Sequence, residues 1–114
     1  MTKPSFSIVI PIYGVEKYIG RCAETLFGQT YDNIQFVFVN DGTKDNSMAV
    51  LAEVLERYQH LKDRVVIVNK ENGGLPAARK TGMEYVTGDY VLHVDSDDWL
   101  ELNAVEQIAA KAVE

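Results

Sequence analysis

One cysteine, three prolines, two histidines and a shortage of basic residues set the first limits on this 114-residue sequence. Cys22 alone admits no internal disulfide, which suits a reducing compartment. It falls in a helical stretch and reads as inert packing rather than as a nucleophile. With 11 Lys and Arg against 17 Asp and Glu, the formal net charge is −6. The clustered cations that track nucleic-acid phosphates are therefore lacking, and no nucleic-acid partner is expected. An anionic small ligand is still admissible, because a local metal or a helix N-terminus can hold one. Long apolar runs are missing as well. Phe6 to Ile12 is too short for a signal-peptide core or a membrane span. The expected location is cytoplasmic, with peripheral attachment at the inner face of the membrane reserved for the full-length protein. Repeats, low-complexity tracts and linkers do not occur, and 46% apolar with 25% charged residues is the balance of one ordinary globular domain.

What is present alternates between short β-branched runs and amphipathic stretches. Strands are predicted at Ser7 to Ile12, Ile34 to Val39, Val65 to Val68 and Tyr90 to Val94. Helices are predicted at Val15 to Phe27, from an Asp45 or Asn46 cap to about His60, at Leu75 to Val86, and from Glu101 onward. Pro76 is tolerable because it lies in the first turn of its helix. This β-α order implies an α/β fold with a parallel sheet and helices on both faces. Ligands of such sheets sit beyond the carboxyl ends of the strands. The polar groups after the four strands should therefore converge on one edge: Tyr13-Gly14, Asn40-Asp41-Gly42, Lys70 to Gly74, and Asp95 to Asp98.

Asp95-Ser96-Asp97-Asp98 is the strongest of these signals. Three carboxylates in four residues repel one another unless a cation sits among them. At a strand end they can offer oxygens to a hard ion, Mn²⁺ or Mg²⁺, whose open positions take substrate phosphate oxygens. A solvated acidic turn capping the next helix is the plainer alternative; the apolar strand that feeds the run favours the metal. Asp41 can accept the N3–H of a uracil-like base while Gly42 lets a flat ligand approach, or the segment is an Asx turn before a helix. Arg79, about one turn into its helix, suits a diphosphate, the acidic cluster, or a surface ion pair. Tyr13 suits packing on a base or on the sheet edge. His93 reads as a core or flank histidine.

Taken in order, Ser7 to Tyr13, Tyr18-Ile19, Gln29-Thr-Tyr31, Val39 to Thr43, Asn72-Gly-Gly74, Ala78-Arg79, Gly82, Gly88-Asp-Tyr90 and Asp95 to Asp98 resemble family 2 glycosyltransferases. The resemblance runs from Ser7 to Leu100. It implies a GT-A (Rossmann-like) fold truncated after its DxD segment, with residues 1–114 as the N-terminal nucleotide-binding part. It also implies a nucleotide-diphospho-sugar donor, with UDP first among the nucleotides, a divalent metal, and inverting transfer to a hydroxyl of a carbohydrate or lipid-linked acceptor. By position, Pro11, Tyr13, Asp41, Arg79 and Asp95 would bind the nucleotide, and Asp97 and Asp98 the metal. No residue matches the general base, which the resemblance puts beyond Glu114; Glu101 and Glu106 read as helix-surface charges. Two positions depart from the pattern: Gly14 replaces an Asn, and Asn40 replaces an Asp. An open sheet edge after the fourth strand predicts self-association. Two other classes compete. A nucleotidyltransferase of sugar-nucleotide synthesis would need a Gly-rich, Arg-bearing loop after the first strand, and a non-catalytic receiver module would need acidic residues there.

Overall fold

A computed structural model describes residues 3–112. Four strands form one parallel sheet in the order β3-β2-β1-β4, with β1 Phe6–Ile12, β2 Ile34–Asp41, β3 Val65–Lys70 and β4 Tyr90–His93. Parallel pairing needs a crossover between successive strands. Helices supply these crossovers: α1 Ile19–Phe27, α2 Ser47–Glu56 and α3 Leu75–Met83, with α4 Ala104–Ala112 after β4. All seven residues of β1 are buried, as a central strand covered on both faces requires. Ile8, Ile10 and Ile12 face a core shared with Cys22 and Leu26 of α1, Leu51 and Val54 of α2, and Val105 and Ala109 of α4. Val9, with Val37 and Val39 of β2, faces α3 through Ala78. Phe27 pins α1 over β2, its ring 5.2 Å from Phe36 and 5.9 Å from Phe38, and such pairs add about 0.5–1.5 kcal/mol beyond area burial. Gly82 brings α3 against the sheet, because a Cβ there would lie 2.5 Å from Val9.

Several boundaries differ from those the apolar period predicts. α1 begins at Ile19 rather than Val15: Gly14 has φ 65°, and the Val15 carbonyl closes a single turn by accepting from Tyr18 and Ile19. α2 ends at Glu56 rather than His60. Arg57 and Tyr58 donate to the third residue back instead of the fourth, which leads into a 3-10 segment at Gln59–Arg64. Glu84, Tyr85 and Val86 do the same after α3, so that helix stops at Met83. α4 begins at Ala104 rather than Glu101, because the α1–β2 connection holds the preceding carbonyls: Thr30 donates to Leu102 O at 2.8 Å and Gln29 to Glu101 O at 2.7 Å. β4 stops one residue early, at His93. β2 and β3 each run two residues beyond their predicted ends, so that Asn40 pairs with Asn69 and Asp41 with Lys70 across the ladder. Among the described residues, β4 pairs with no strand on its outer side, and no helix is long and apolar enough to cross a membrane.

Candidate nucleotide and metal site

The carboxyl ends of the strands surround a cavity of about 450 Å³. β1 and the turn after it contribute Pro11, Ile12, Tyr13 and Val15; β2 contributes Asp41. The β3–α3 connection and α3 contribute Asn72, Gly74, Leu75 and Ala78, and the segment after β4 contributes Asp95, Ser96 and Asp97. Asp41 and Asp97 thus share one cleft, as convergence of the four strand ends predicts. Of the other predicted residues, Arg79 reaches the site through Asp95, and Asp98 joins the acidic cluster beside the cavity. Tyr13 is 54% exposed, so its ring is open to a flat ligand. His93 is exposed and does not line the cavity.

Asp41 is the most constrained of these groups. Only 3% exposed, its carboxylate accepts from Lys70 Nζ and Gly73 N at Oδ1, both 2.9 Å, and from Gly74 N (3.0 Å) and Asn72 Nδ2 (3.1 Å) at Oδ2. Burial pushes its pKa up, but the Lys70 ammonium and the Gly73 and Gly74 N–H groups outweigh that and hold it below the ordinary value. Gly42 makes the approach possible. Its φ is 70°, and a Cβ there would lie 2.7 Å from Asn72 N, so a larger residue would be strained and would also clash.

The β1–α1 and β2–α2 turns are tied to each other. Gly14 N donates to Thr43 Oγ1 (2.8 Å) and Val15 N to Ser47 Oγ (3.0 Å). Asp45 Oδ1 accepts from Ser47 Oγ (2.6 Å), Thr43 Oγ1 (2.7 Å) and Ser47 N (3.0 Å). The Ser47 and Thr43 hydroxyls thereby lower the Asp45 pKa to about 2. Asn40 does not make the expected Asx turn: its Oδ1 accepts from Thr43 N, three residues on, at 3.0 Å, and the two-residue bond of that turn is made by Asp45, which accepts from Ser47 N. Asn40 Nδ2 donates to Asn69, so the residue that departs from the family pattern stitches strands together and does not line the cavity.

Asp95, Asp97 and Asp98 form the acidic wall. Asp98 N donates to Asp95 O at 3.0 Å, and this turn brings one oxygen of each carboxylate within 4.8 Å of the others. Oxygens bound to one Mg²⁺ lie up to ~4.2 Å apart, so small rotations of these exposed side chains bring the set within reach of a single hard ion. The oxygen-only donor set fits Mn²⁺ or Mg²⁺ and suits softer metals poorly. Arg79 donates to Asp95 Oδ1 at 3.0 Å, leaving Asp97 and Asp98 freer for the ion. Its buried Nε has no partner among the described residues. Cys22 packs behind the cluster; burial, then the charges of Asp98, Asp97 and Asp95, push its pKa up to about 12, so it is an inert thiol.

The family model for glycosyl transferase family 2 matches residues 7–114. This chain belongs to that family. Among curated relatives, it is 41% identical over 108 residues to the glycosyltransferase GlyA of Streptococcus pneumoniae, covering 95% of this chain and 15% of GlyA. Among solved structures, it is 28% identical to S. aureus TarS residues 1–349 in complex with UDP-GlcNAc, with a TM-score of 0.80 over 93% of this chain and 30% of that one. The mannosyltransferase PcManGT of Pyrobaculum calidifontis, in complex with GDP-Man and Mn²⁺, shares the fold at a TM-score of 0.83 and 21% identity, over 96% of this chain and 33% of that one. The family 2 sheet is of the GT-A type, and Asp95 to Asp98 is its DxD-like acidic cluster. The chain spans less than a third of the length of GlyA.

Sequence reasoning did not single out Leu75, Ala78 and Val15 as cavity wall, or the Lys70–Asp41 pair. Leu75 carried a signal, an apolar residue at the exposed start of an amphipathic helix. The pair carried only the expectation that Asn40 to Gly42 and Lys70 to Gly74 converge on one edge; their register waited on the strand ends.

Proposed function

We propose that this chain is the donor-binding part of an inverting glycosyltransferase that moves a sugar from a nucleotide diphosphate, UDP first among them, to an acceptor hydroxyl. One observation carries the reading: a cleft with a base-sized, partly apolar wall at Pro11 and Tyr13 opens directly onto three clustered, exposed carboxylates. Similarity to TarS, solved with UDP-GlcNAc, supports it. Tyr13 stacks on the base and Pro11 shapes the pocket behind it. Asp41 accepts from the base edge. Arg79 aims Asp95 at the ribose. Asp97 and Asp98 hold the Mn²⁺ or Mg²⁺, which when bound supplies Lewis-acid neutralisation of the departing diphosphate. A general base must also take the acceptor proton. The cavity carboxylates are engaged in the roles above, and neither Glu101 nor Glu106 lines the cavity. On its own the chain should bind donor and transfer little sugar, with the carbohydrate or lipid-linked acceptor held by the remainder of the full-length protein.

Calorimetric titration with UDP, with and without Mn²⁺, tests this reading. We expect saturable binding that Mn²⁺ strengthens. Binding of no nucleoside diphosphate, among UDP, GDP, CDP and ADP, with Mn²⁺ present would overturn it.

A further inference from the structure

The Asp41 carboxylate has room for about four hydrogen bonds, and four donors already fill it. A base N–H can reach it only by displacing one of them. Two are backbone N–H groups fixed by the turn into α3, at Gly73 and Gly74. The third, Asn72 Nδ2, is held twice, since it also donates to the Asp41 carbonyl at 3.0 Å. The fourth is Lys70, a point donor on a flexible four-carbon stem. Lys70 stands opposite Asp41 in the β2–β3 ladder, and its ammonium also donates to the Glu71 carbonyl. Gly73 makes room for it: a Cβ at that position would lie 2.9 Å from Lys70 Nζ.

We propose that Lys70 is a specificity-determining residue of the donor pocket, holding the last lone pair of Asp41 until a base N–H takes that lone pair and then turning to a base carbonyl. The inference rests on the donor-site reading above and deepens it by naming the edge that is read. Asp41 and Lys70 together offer an acceptor beside a donor. Their complement is a ring N–H beside a C=O, which uracil and guanine carry. Cytosine and adenine present a ring acceptor beside an amine donor, and both contacts become repulsive. When the base enters, Lys70 keeps its bond to Glu71 O and exchanges one acceptor for another, so no polar group is left without a partner.

The test is calorimetric affinity for UDP against CDP, two bases of nearly equal size, in excess Mn²⁺; GDP against ADP repeats it for purines. The wild-type protein should prefer UDP by about tenfold or more, the scale of one polar group left without its partner. Lys70→Met should weaken UDP by about tenfold and leave CDP unchanged or improved, narrowing the preference. Lys70→Gln, which keeps an N–H donor without the charge, should restore part of it. Equal wild-type affinity for UDP and CDP would overturn the proposal even if every variant failed to fold. So would Lys70→Met weakening both ligands alike, the signature of a charge acting on the diphosphate, or changing neither. Those outcomes leave donor binding itself intact. Absence of binding to all four nucleotides would instead remove the donor-site reading.

Discussion

At the amino end of the sheet, buried Ser7 donates to Gln35 Oε1 (2.5 Å) and accepts from Gly88 N (2.8 Å). Asp89 accepts from Ser5 N and Ser5 Oγ, and Ser5 Oγ in turn accepts from Asp89 N. A cavity of about 390 Å³ lies there too, with Ser5, Gln35, Thr87 and Gly88 in its wall. At the carboxyl end, a hollow of similar size is lined by Asp97 with Asp98 beside it, and neither has a cation of the chain within salt-bridge distance among the described residues. A cavity is therefore common to both ends and identifies neither. What separates them is whether the polar groups in the wall satisfy one another. At the amino end Ser5, Gln35, Thr87 and Gly88 are bonded through Ser7, Asp89 and each other, which seals that part of the wall, and the charges in the same wall, Asp63 and Arg64, are of opposite sign. At the carboxyl end three exposed carboxylates crowd together with only Asp95 bonded to a cation, an arrangement that favours an added one. Asp41 belongs by position to the open end and by bonding to the sealed kind, which is why it is the most informative residue to disturb.

Replacing Asp41 by Ala should have the largest effect. It leaves a part-buried ammonium and two backbone N–H groups without their acceptor, and breaking such a pair from one side costs about 3–5 kcal/mol. Urea unfolding should show the loss, and nucleotide affinity should fall with it. Asp97→Asn sharpens the contrast by touching function alone. Calorimetry should show Mn²⁺-dependent UDP binding weakened by roughly tenfold to a hundredfold, with the urea midpoint unchanged. Ser7→Ala is the converse at the amino end: about 1–2 kcal/mol of stability lost through the orphaned Gly88 N–H, and UDP affinity of the folded protein unaltered. A loss of affinity there would mean the two ends are not independent. The smallest effect is expected at Asp45. Its folded pKa of about 2 lies below the ordinary 3.8, so its stabilising contribution is present above 3.8 and is lost as the pH falls through about 2. Asp45→Asn should flatten the acid limb of a stability–pH curve in that window.

Much of this was readable in advance because it rests on local pattern. The apolar run at Ser7 to Ile12 marks a buried strand, as β1 is, and the strand-end rule brings Pro11, Tyr13, Asp41 and Asp97 to one cleft. Element ends were less legible. The apolar period continues through Tyr58 and Val86 although the backbone there has tightened to bonds three residues back, because side-chain spacing barely distinguishes a last α-turn from a 3-10 turn. The start of α4 depended on Gln29 and Thr30, some seventy residues away in sequence.

The sequence by itself determined the order of strands and helices, the parallel sheet and the identity of the acidic cluster, since each follows from the period of apolar residues or from charges adjacent in the chain. Only the tertiary structure decided which polar groups have partners. Asp41 and Lys70 are 29 residues apart and become neighbours because β2 and β3 extend two residues further than their apolar runs do. Ladder bonding between two backbones, which no single stretch of side chains encodes, carries them into contact.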